Sequence, residues 1–394
     1  MNDHRGTSSG RLLLASVAIN FAVGALYGWG VFLKALEESL HADRSVISIA
    51  PSLALAMFTV GALLHNRLLR SIPARRFALL SCVLAALGHL LFAVHPSVTT
   101  LLIGYGGIYG LSAGLCYGLA LALASWSSAN QRNKGMAIGI ATTSFAATGL
   151  VMSLGGTWVL RSITPGQAFA LIGAFQMVVG VVSFMLIGGA SASASIRSTT
   201  PLNFQLRDAY FIGLLTSFAI ICLVGLMTVS HSTGLLADRH ASDLAIGFAP
   251  LIVNLGYIGG GITGGAVTGS VSIGRALLSM SILLALGVSG LALFHSPSMS
   301  IAGLALIGAA LGASAAVYPI AIGRRYGAEN IGAIYGKVLV AYGVSGLVAP
   351  WLTGSLYVRT GGYTWPLLIA LALGLSGIAI TAAMTRHAES PSDR

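Results

Sequence analysis

The sequence predicts an all-α membrane protein of twelve transmembrane helices in two six-helix halves, and three observations lead to that fold class. Residues 135–151 and 332–348 are two copies of one helix, 197 positions apart in a chain of 394 residues. Charged residues are 8% of the chain and apolar residues 56%, whereas roughly 25% of the residues in a soluble domain are charged. Apolar stretches long enough to cross a bilayer recur along both halves.

The duplicated helix carries a recurring glycine pattern. The first copy contains Gly135, Gly139 and Gly149, and the second contains Gly332, Gly336 and Gly346. Many secondary transporters are built from such repeats, with paired helices in corresponding places and the substrate held between the repeats near the middle of the membrane. The duplication therefore makes a transporter the starting hypothesis for function.

Twelve apolar stretches of about 18 to 25 residues have the length that crosses a hydrocarbon core. In the first half they predict spans 1 to 6 near 12–34, 46–64, 77–94, 98–124, 136–160 and 167–190. In the second half they predict spans 7 to 12 near 209–235, 245–268, 276–294, 299–323, 333–357 and 365–385. The first stretch has no convincing small-residue cleavage site, so we expect a retained helix rather than a signal peptide.

Basic residues are distributed unevenly among the predicted loops. With a cytoplasmic N-terminus, fifteen Lys and Arg residues fall in inside segments and five in outside segments. Cytoplasmic loops of membrane proteins carry such an excess. We therefore expect a multi-pass protein of the cell membrane (inner or plasma membrane) with both termini in the cytoplasm.

A small, polar and basic stretch separates the two halves. Its composition is typical of a flexible strap, so we predict a first half at 1–190, a cytoplasmic linker at 191–207 and a second half at 208–394. The other loops are short, and no phosphate loop or dinucleotide fingerprint follows a strand. We therefore expect neither an enzyme nor a bound cofactor.

The net charge of +11 does not indicate a nucleic acid partner. The basic residues form no continuous patch and lie at the ends of apolar stretches, as membrane topology requires. Cys82, Cys116 and Cys222 all fall inside apolar stretches without paired spacing, so they predict neither a disulfide framework nor a zinc site. We expect a monomer in the lipid bilayer.

Several motifs, which together cover most of the chain, resemble the monocarboxylate and oxalate/formate antiporter branch of the major facilitator superfamily. Span 1 has Tyr27-Gly-Trp29-Gly-Val31-Phe32, similar to that branch's Tyr-x-Trp-x-Val-Phe. The other fragments are Tyr105 to Gly118 in span 4, Gly225 to His231 in span 7, Asn254 in span 8, and Tyr335-Gly336, Ala341-Tyr342-Gly343 and Pro350 in span 11. The resemblance implies the major facilitator fold and a transporter of small molecules.

The sequence departs from this family at three places. Ile258 stands four residues after Asn254, where members of the branch commonly place an arginine that binds the substrate carboxylate. Tyr27 and Tyr342 align with positions at which animal members and oxalate exchangers, respectively, place a lysine. The loop between spans 2 and 3, typically Gly-x-x-x-Asp-Arg-x-Gly-Arg-Arg, appears as Gly61-Ala-Leu-Leu-His65-Asn66-Arg67, without its acid.

Lys337 is the one cation that falls within a predicted span, and it takes the place of Ile140 in the first copy of the repeat. A charge inside the membrane is a functional hypothesis by default, because its burial is costly unless it faces water or a partner. Lys337 also lies about one turn inside the cytoplasmic end of span 11, where its long stem can reach the lipid headgroups. The position of Lys337 therefore fits contact with substrate and anchoring at the lipid headgroups equally well.

His231 lies on the outer half of predicted span 7, where its imidazole can titrate near neutral pH or donate a hydrogen bond to a carboxylate. We favour this role over capping of a backbone carbonyl, because no Asp or Glu occurs within a predicted span to carry a proton. Met227 would share its helix face. One Met and one His make a poor copper site, so we predict no metal site.

Tyrosines and one asparagine complete the predicted substrate site. Tyr27, Asn254 and Tyr342 fall where the resembled family contacts substrate. Further candidates are Tyr117, Tyr257 and Tyr318, with Trp29 the weakest. Hydroxyl and amide groups beside apolar walls are typical of small-ligand pockets.

Glycines recur every four residues in span 4, at Gly106, Gly110, Gly114 and Gly118. This spacing places them on one helix face, which predicts close approach of a neighbouring helix. We interpret the glycine ladder as structural.

These features predict a transporter that carries a small organic anion, a mono- or dicarboxylate, by alternating access of the two halves. One alternative is an exporter of neutral or cationic amphiphilic compounds, because the expected cavity is apolar, aromatic and free of acids. A second alternative is a non-transporting membrane receptor or assembly factor built on a carrier scaffold. Uptake in proteoliposomes separates the carriers from the second alternative.

Overall fold

The computed structural model describes residues 3–128, 131–188, 207–327 and 330–388. Within these ranges twelve helices are long and apolar enough to cross a membrane, and no strand occurs. The predicted all-α fold with twelve spans is therefore confirmed. The predicted linker, 191–207, lies outside the described residues except for Arg207.

The chain forms two compact units. Among the described residues, the first consists of 3–128, 131–188, 327 and 330–339, and the second of 207–326 and 340–388. Span 11, Ile331–Thr360, thus begins among the contacts of the first unit and continues in the second.

The first unit contains spans 1 to 6 and two short helices. The spans are Ser9–Val31, Ile49–Ser71, Ala74–Val94, Val98–Trp126, Asn133–Gly156 and Pro165–Ile187. The short helices Leu33–Leu40 and Arg44–Ile47 connect spans 1 and 2. Span 4 is the most buried of the six, and span 6 the least.

The second unit contains the other spans and one short helix. Spans 7 to 10 are Ala209–Val229, Asp243–Val267, Ile273–Leu293 and Pro297–Tyr326, and span 12 is Thr364–Arg386. The short helix Ser232–Asp238 follows span 7. Span 10 is the most buried of this unit, as span 4 is in the first.

Capping residues set the ends of several spans. Thr164 and Gln167 form a reciprocal capping box at the start of span 6, with Pro165 at the first helical position, which satisfies amide groups that the helix leaves free. Asp208 accepts a hydrogen bond from the amide of Tyr210 at 3.0 Å and begins span 7. At the other end of span 6, Gly188 adopts a positive φ of 64°, which glycine tolerates without strain.

The glycine ladder of span 4 is packed against span 2, and the prediction of close helix approach is confirmed. A Cβ at Gly110 would lie 2.6 Å from the Cα of Ala54, and one at Gly114 would collide with the carbonyl oxygen of Phe58. In the second unit Gly260 of span 8 meets the backbone of span 10 at Ala309 in the same way. Backbones can approach this closely only where side chains are absent.

The structure also brings together two cysteines that lack paired spacing in the sequence. Cys82 of span 3 and Cys116 of span 4 have their sulfur atoms 4.0 Å apart, and both cysteines are buried and not joined by a disulfide. Cys82 also packs against span 6, because a Cβ at Gly180 would lie 2.8 Å from the Cys82 Cβ. The two cysteines therefore contribute to the packing of spans 3, 4 and 6.

Candidate functional site

Span 1 changes its helix type halfway along its length. It is α-helical as far as Val23 and continues as a 3₁₀-helix from Gly24 to Val31. Runs of 3₁₀-helix longer than three or four residues are uncommon, and inside a span they often mark a functional hinge. Tyr27, a predicted substrate residue, lies within this segment.

Three consecutive backbone carbonyls at the junction accept hydrogen bonds from side chains of three other spans. At an α to 3₁₀ junction the amides shift their partner from residue i−4 to residue i−3, which leaves a carbonyl without its helical donor. In lipid such groups must find partners within the protein. The donors are Thr148 of span 5 to Phe21 at 2.5 Å, Gln176 of span 6 to Ala22 at 3.0 Å, and Tyr109 of span 4 to Val23 at 2.7 Å.

Tyr27 and Tyr117 lie in one aromatic cluster of the first unit, and Phe145 of span 5 joins them. The ring of Phe145 is 5.3 Å from that of Tyr27 and 5.6 Å from that of Tyr117, edge to face in both cases. Phe58 of span 2 adds a fourth ring, 5.4 Å from Tyr117. Gly149 leaves room for Tyr27, because a Cβ there would lie 2.7 Å from the Tyr27 Cβ. The cluster is apolar apart from the two hydroxyl groups.

Lys337 lies in the second turn of span 11 and is half-buried. The preceding Gly336 packs against span 2, where a Cβ would lie 2.6 Å from the carbonyl oxygen of Ala62. One turn earlier, Gly332 packs against the imidazole of His65. The glycines of the second repeat copy thus fit the start of span 11 against span 2.

His65 replaces the acid of the family's loop motif and is almost completely buried. Its Nδ1 donates a hydrogen bond to the carbonyl of Ala62 at 2.6 Å. The ring lies between Gly118 of span 4 and Gly332 of span 11, and a Cβ at either glycine would lie too close to it. His65, where the sequence departs from the family motif, therefore holds spans 2, 4 and 11 in contact.

The second unit carries the other predicted substrate residues on two spans. Asn254 is half-buried, and Tyr257 is buried one turn further along span 8. Tyr342 is half-buried in span 11. Tyr318 is fully buried in span 10, and its hydroxyl donates to the hydroxyl of Ser217 at 2.8 Å, so its polar group is engaged within the unit.

His231 lies beyond the end of span 7, and its predicted place on that helix is wrong. Span 7 ends at Val229, and His231 is the residue before the short helix Ser232–Asp238, with φ −114° and ψ 15°. Its ring therefore does not share a helix face with Met227, which removes the geometric basis for treating them as a pair.

Both ring nitrogens of His231 have partners. Nε2 lies 3.2 Å from the carbonyl oxygen of Pro350 in span 11, and Nδ1 lies 3.3 Å from the hydroxyl of Tyr363. Because a carbonyl only accepts, Nε2 carries a proton and donates it to the Pro350 carbonyl, while Nδ1 lies within hydrogen-bonding distance of the Tyr363 hydroxyl. Burial raises the pKa of the Tyr363 phenol above its ordinary range, so this hydroxyl stays protonated. The contacts fit a histidine that caps a backbone carbonyl, the role that sequence reasoning ranked second.

Sequence reasoning missed a group of buried polar side chains in the first unit. Asn20, His89 and Gln176 lie in spans 1, 3 and 6 with at most 1% of each residue exposed. Asn20 donates to the carbonyl of Ala141 at 2.7 Å. The available signal was the occurrence of amide and imidazole groups inside otherwise apolar stretches, where such groups are costly without partners.

Comparisons with known proteins agree with this architecture. No family model matches the sequence. The chain is 21% identical over 346 residues to YhjX, an uncharacterized MFS-type transporter of Escherichia coli (strain K12), with 85% of each chain covered. It is 28% identical over 393 residues to monocarboxylate transporter 11 of Homo sapiens, covering 94% of this chain and 82% of that protein.

Two solved transporters share the fold. FucP, solved in an outward conformation, matches with a TM-score of 0.67 and 16% identity over 96% of this chain and 99% of that one. The proton:xylose symporter XylE matches with a TM-score of 0.74 and 11% identity over 94% of each chain. Both of these transporters have the arrangement of twelve spans described above. The chain therefore shares the fold of major facilitator superfamily transporters and is similar in sequence to an MFS-type transporter.

Proposed function

We propose that this transporter carries a small organic anion, a mono- or dicarboxylate, by alternating access of its two units. The observation that carries the proposal is the likeness to a protein named monocarboxylate transporter, which extends over 94% of the chain. The family motifs at Tyr27, Asn254 and Tyr342 point in the same direction.

Lys337 supplies the positive charge that such a substrate needs. The other cations of the described membrane spans lie nearer to a span end, whereas Lys337 lies in the second turn of span 11. An ammonium group in a half-buried place offsets a carboxylate charge and strengthens a hydrogen bond to it. The hydroxyls of Tyr27, Tyr117, Tyr257 and Tyr342 and the amide of Asn254 then orient the anion.

The transport cycle is exchange or facilitated diffusion under this proposal. The acids of the sequence lie in loops, in termini or at span ends, and the ring nitrogens of His231 are engaged by Pro350 and Tyr363. Uptake into proteoliposomes should therefore depend on anion inside the vesicle and be insensitive to an imposed proton gradient. If uptake requires that gradient and persists unchanged in His231→Ala, this mechanism is wrong.

The decisive test is the charge at position 337. Lys337→Gln should weaken anion binding at least about tenfold, because a charge-assisted contact contributes about 1.5–3 kcal/mol. Lys337→Arg should retain binding with altered selectivity, since the guanidinium keeps the charge but changes the geometry. Lys134→Gln is the matched control, because it removes one positive charge near the start of the corresponding helix in the first copy. Equal anion affinity in Lys337→Gln and wild type would contradict the proposal.

An exporter of neutral or cationic amphiphiles is the second candidate. Two observations favour it, namely Ile258 in place of the family's arginine and the largely apolar cluster around Phe145. Competition separates the two candidates: lactate, pyruvate, oxalate or formate should inhibit an anion carrier and leave an amphiphile exporter unaffected. If none of these compounds stabilises the protein, and it transports neither anions nor amphiphiles, the protein instead fits a receptor or assembly factor.

A further inference from the structure

Four buried side chains that contact one another in the first unit each leave a polar atom without a hydrogen-bond partner among the described residues. They are Trp29 Nε1 of span 1, His89 Nε2 of span 3, the Tyr105 hydroxyl of span 4 and Gln176 Oε1 of span 6, here called the core polar cluster. Each of the four residues is at least nine-tenths buried. Native proteins rarely leave buried polar atoms unpaired, because each one loses its hydration without compensation.

The rings of the cluster contact one another. The ring of Tyr105 lies 4.8 Å from that of Trp29 and 5.8 Å from that of His89. The side chain of Gln176 also interacts with the His89 imidazole. Four spans therefore bring the side chains that carry these atoms into contact in the interior of the unit.

Two irregular helical segments meet at the same place. Trp29 belongs to the 3₁₀ segment of span 1, and Tyr105 belongs to a π-helical segment, Leu101–Tyr109, in span 4. π-helical turns are rare and occur frequently at functional sites. The irregular geometry and the unpaired atoms are independent observations that point to one site.

The hydrogen bonds that are present determine whether two of the unpaired atoms are donors or acceptors. His89 Nδ1 donates to the carbonyl of Ala85 at 3.2 Å, so Nε2 of the neutral ring is an acceptor. Gln176 Nε2 donates to the carbonyl of Ala22 at 3.0 Å, so the remaining atom, Oε1, is also an acceptor. Two acceptors from neighbouring side chains cannot bond to each other and need a donor between them.

We propose that the core polar cluster binds an internal water molecule. A water donates two hydrogen bonds, here to His89 Nε2 and Gln176 Oε1, and accepts two, here from Trp29 Nε1–H and the Tyr105 hydroxyl. Buried waters typically make two to four such bonds to otherwise unsatisfied groups. A proton on His89 would also supply a donor, but an imidazolium in an apolar interior without a carboxylate partner is much costlier than a neutral water. The site joins spans 1, 3, 4 and 6 independently of which substrate is carried.

The sign of a stability change tests the proposal. Tyr105→Phe removes only a hydroxyl, and if that hydroxyl is bonded to water the melting temperature of the purified full chain should fall by about 2–4 °C. Tyr109→Phe calibrates the loss, because its hydroxyl has a protein partner, the carbonyl of Val23. Ser183→Ala is the opposite control, because its buried hydroxyl has no partner among the described residues and its removal should not destabilise. An unchanged or raised melting temperature in Tyr105→Phe would overturn the proposal.

The same measurement distinguishes water from a protonated imidazole. The loss in Tyr105→Phe should be equal in mildly acidic and mildly alkaline buffer, since water remains a donor at both pH values. A loss confined to acidic buffer would assign the donor to protonated His89 and reject the water.

A second experiment needs no variant. X-ray irradiation of the wild-type protein generates hydroxyl radicals from bound water in place, and mass spectrometry then locates oxidised side chains. Trp29 and Tyr105 should be oxidised although they are buried. Tyr318 is the matched control, a fully buried tyrosine whose hydroxyl bonds to Ser217. Oxidation of Tyr105 no greater than that of Tyr318 would contradict the proposal.

Discussion

At the scale of single residues, His231 shows how one imidazole can join distant parts of one unit. Its donor contact reaches Pro350 in span 11, and its second contact reaches Tyr363 in the turn before span 12. The Tyr363 hydroxyl in turn lies against Gly234 of the short helix after span 7, where any Cβ would collide with it. The residue that hydropathy placed inside a span acts as a structural junction.

We expect His231→Ala to lower the melting temperature by several degrees, because two partly buried hydrogen bonds contribute roughly 1–3 kcal/mol in total. Tyr363→Phe should have a smaller effect, since one of the two bonds is lost. Thermal denaturation of the single and double variants measures the coupling between the two side chains, which should be about 0.5 kcal/mol or more. His295→Ala, in an exposed loop, is the control and should melt like wild type.

A direct role in transport predicts a different outcome for the same variants. In that case His231→Ala would abolish uptake at an unchanged melting temperature, and Tyr363→Phe would leave uptake intact. Such a result would show that the junction is incidental and that the functional role favoured from the sequence was correct.

At the scale of helices, glycine ladders determine which spans approach closely. Gly260 faces the carbonyl of Ala309 in span 10, whereas its neighbour Gly259 faces open space. The two adjacent glycines of span 8 therefore have different roles, although the sequence alone makes them equivalent.

We expect Gly260→Ala to be strongly destabilising, because the new methyl group would overlap the backbone of span 10 and overpacking costs about 1–3 kcal/mol or more. Gly259→Ala should be neutral or slightly stabilising, since alanine is the better helix former. The yield of folded protein and its melting temperature in detergent check both. Equal losses in the two variants would refute the close approach of spans 8 and 10 at this position.

The irregular segments in spans 1 and 4 could not be predicted from the sequence. Gly24, Gly28 and Gly30 permit a tighter helix in span 1, but glycine is also abundant in regular spans of this chain. The 3₁₀ segment depends on side chains from spans 4, 5 and 6 that supply donors to its junction. Those contacts span up to 154 positions, so no local pattern encodes them.

At the scale of the whole molecule, the sequence predicted the number and type of helices, because apolar length and composition decide whether a segment spans a bilayer. The predicted end of span 7 was too late, because a hydropathy average cannot detect a helix end. The average stays high across the polar residues Ser230, His231 and Ser232. The sequence identified Tyr27 and Tyr117 as candidate substrate residues. It did not identify Phe145, whose ring contacts the rings of both tyrosines. An apolar side chain in an apolar span has no distinguishing mark.

The orientation in the membrane is a further prediction, and span 8 offers a matched test. Ser242 and Ser270 are exposed residues in the loops before and after this span, and the three native cysteines are buried. In intact cells, Ser242→Cys in the 236–244 loop should react with an impermeant maleimide, whereas Ser270→Cys should not. Tags in the 191–207 linker and at both termini should also be inaccessible, because basic residues crowd these segments. Labelling of Ser270→Cys without labelling of Ser242→Cys would show that the protein has the opposite orientation in the membrane.

The junction in span 1 has a consequence for the order in which the protein is made. Span 1 leaves the ribosome before spans 4, 5 and 6, yet the side chains that bond to Phe21, Ala22 and Val23 lie in those three spans. Until those spans are inserted, the carbonyls can be satisfied in lipid only if span 1 stays α-helical across the junction. The nascent chain must therefore remodel span 1 late, after span 6 has entered the membrane. A chain truncated before Gln176 is expected to keep a longer, regular first helix and to be more readily degraded.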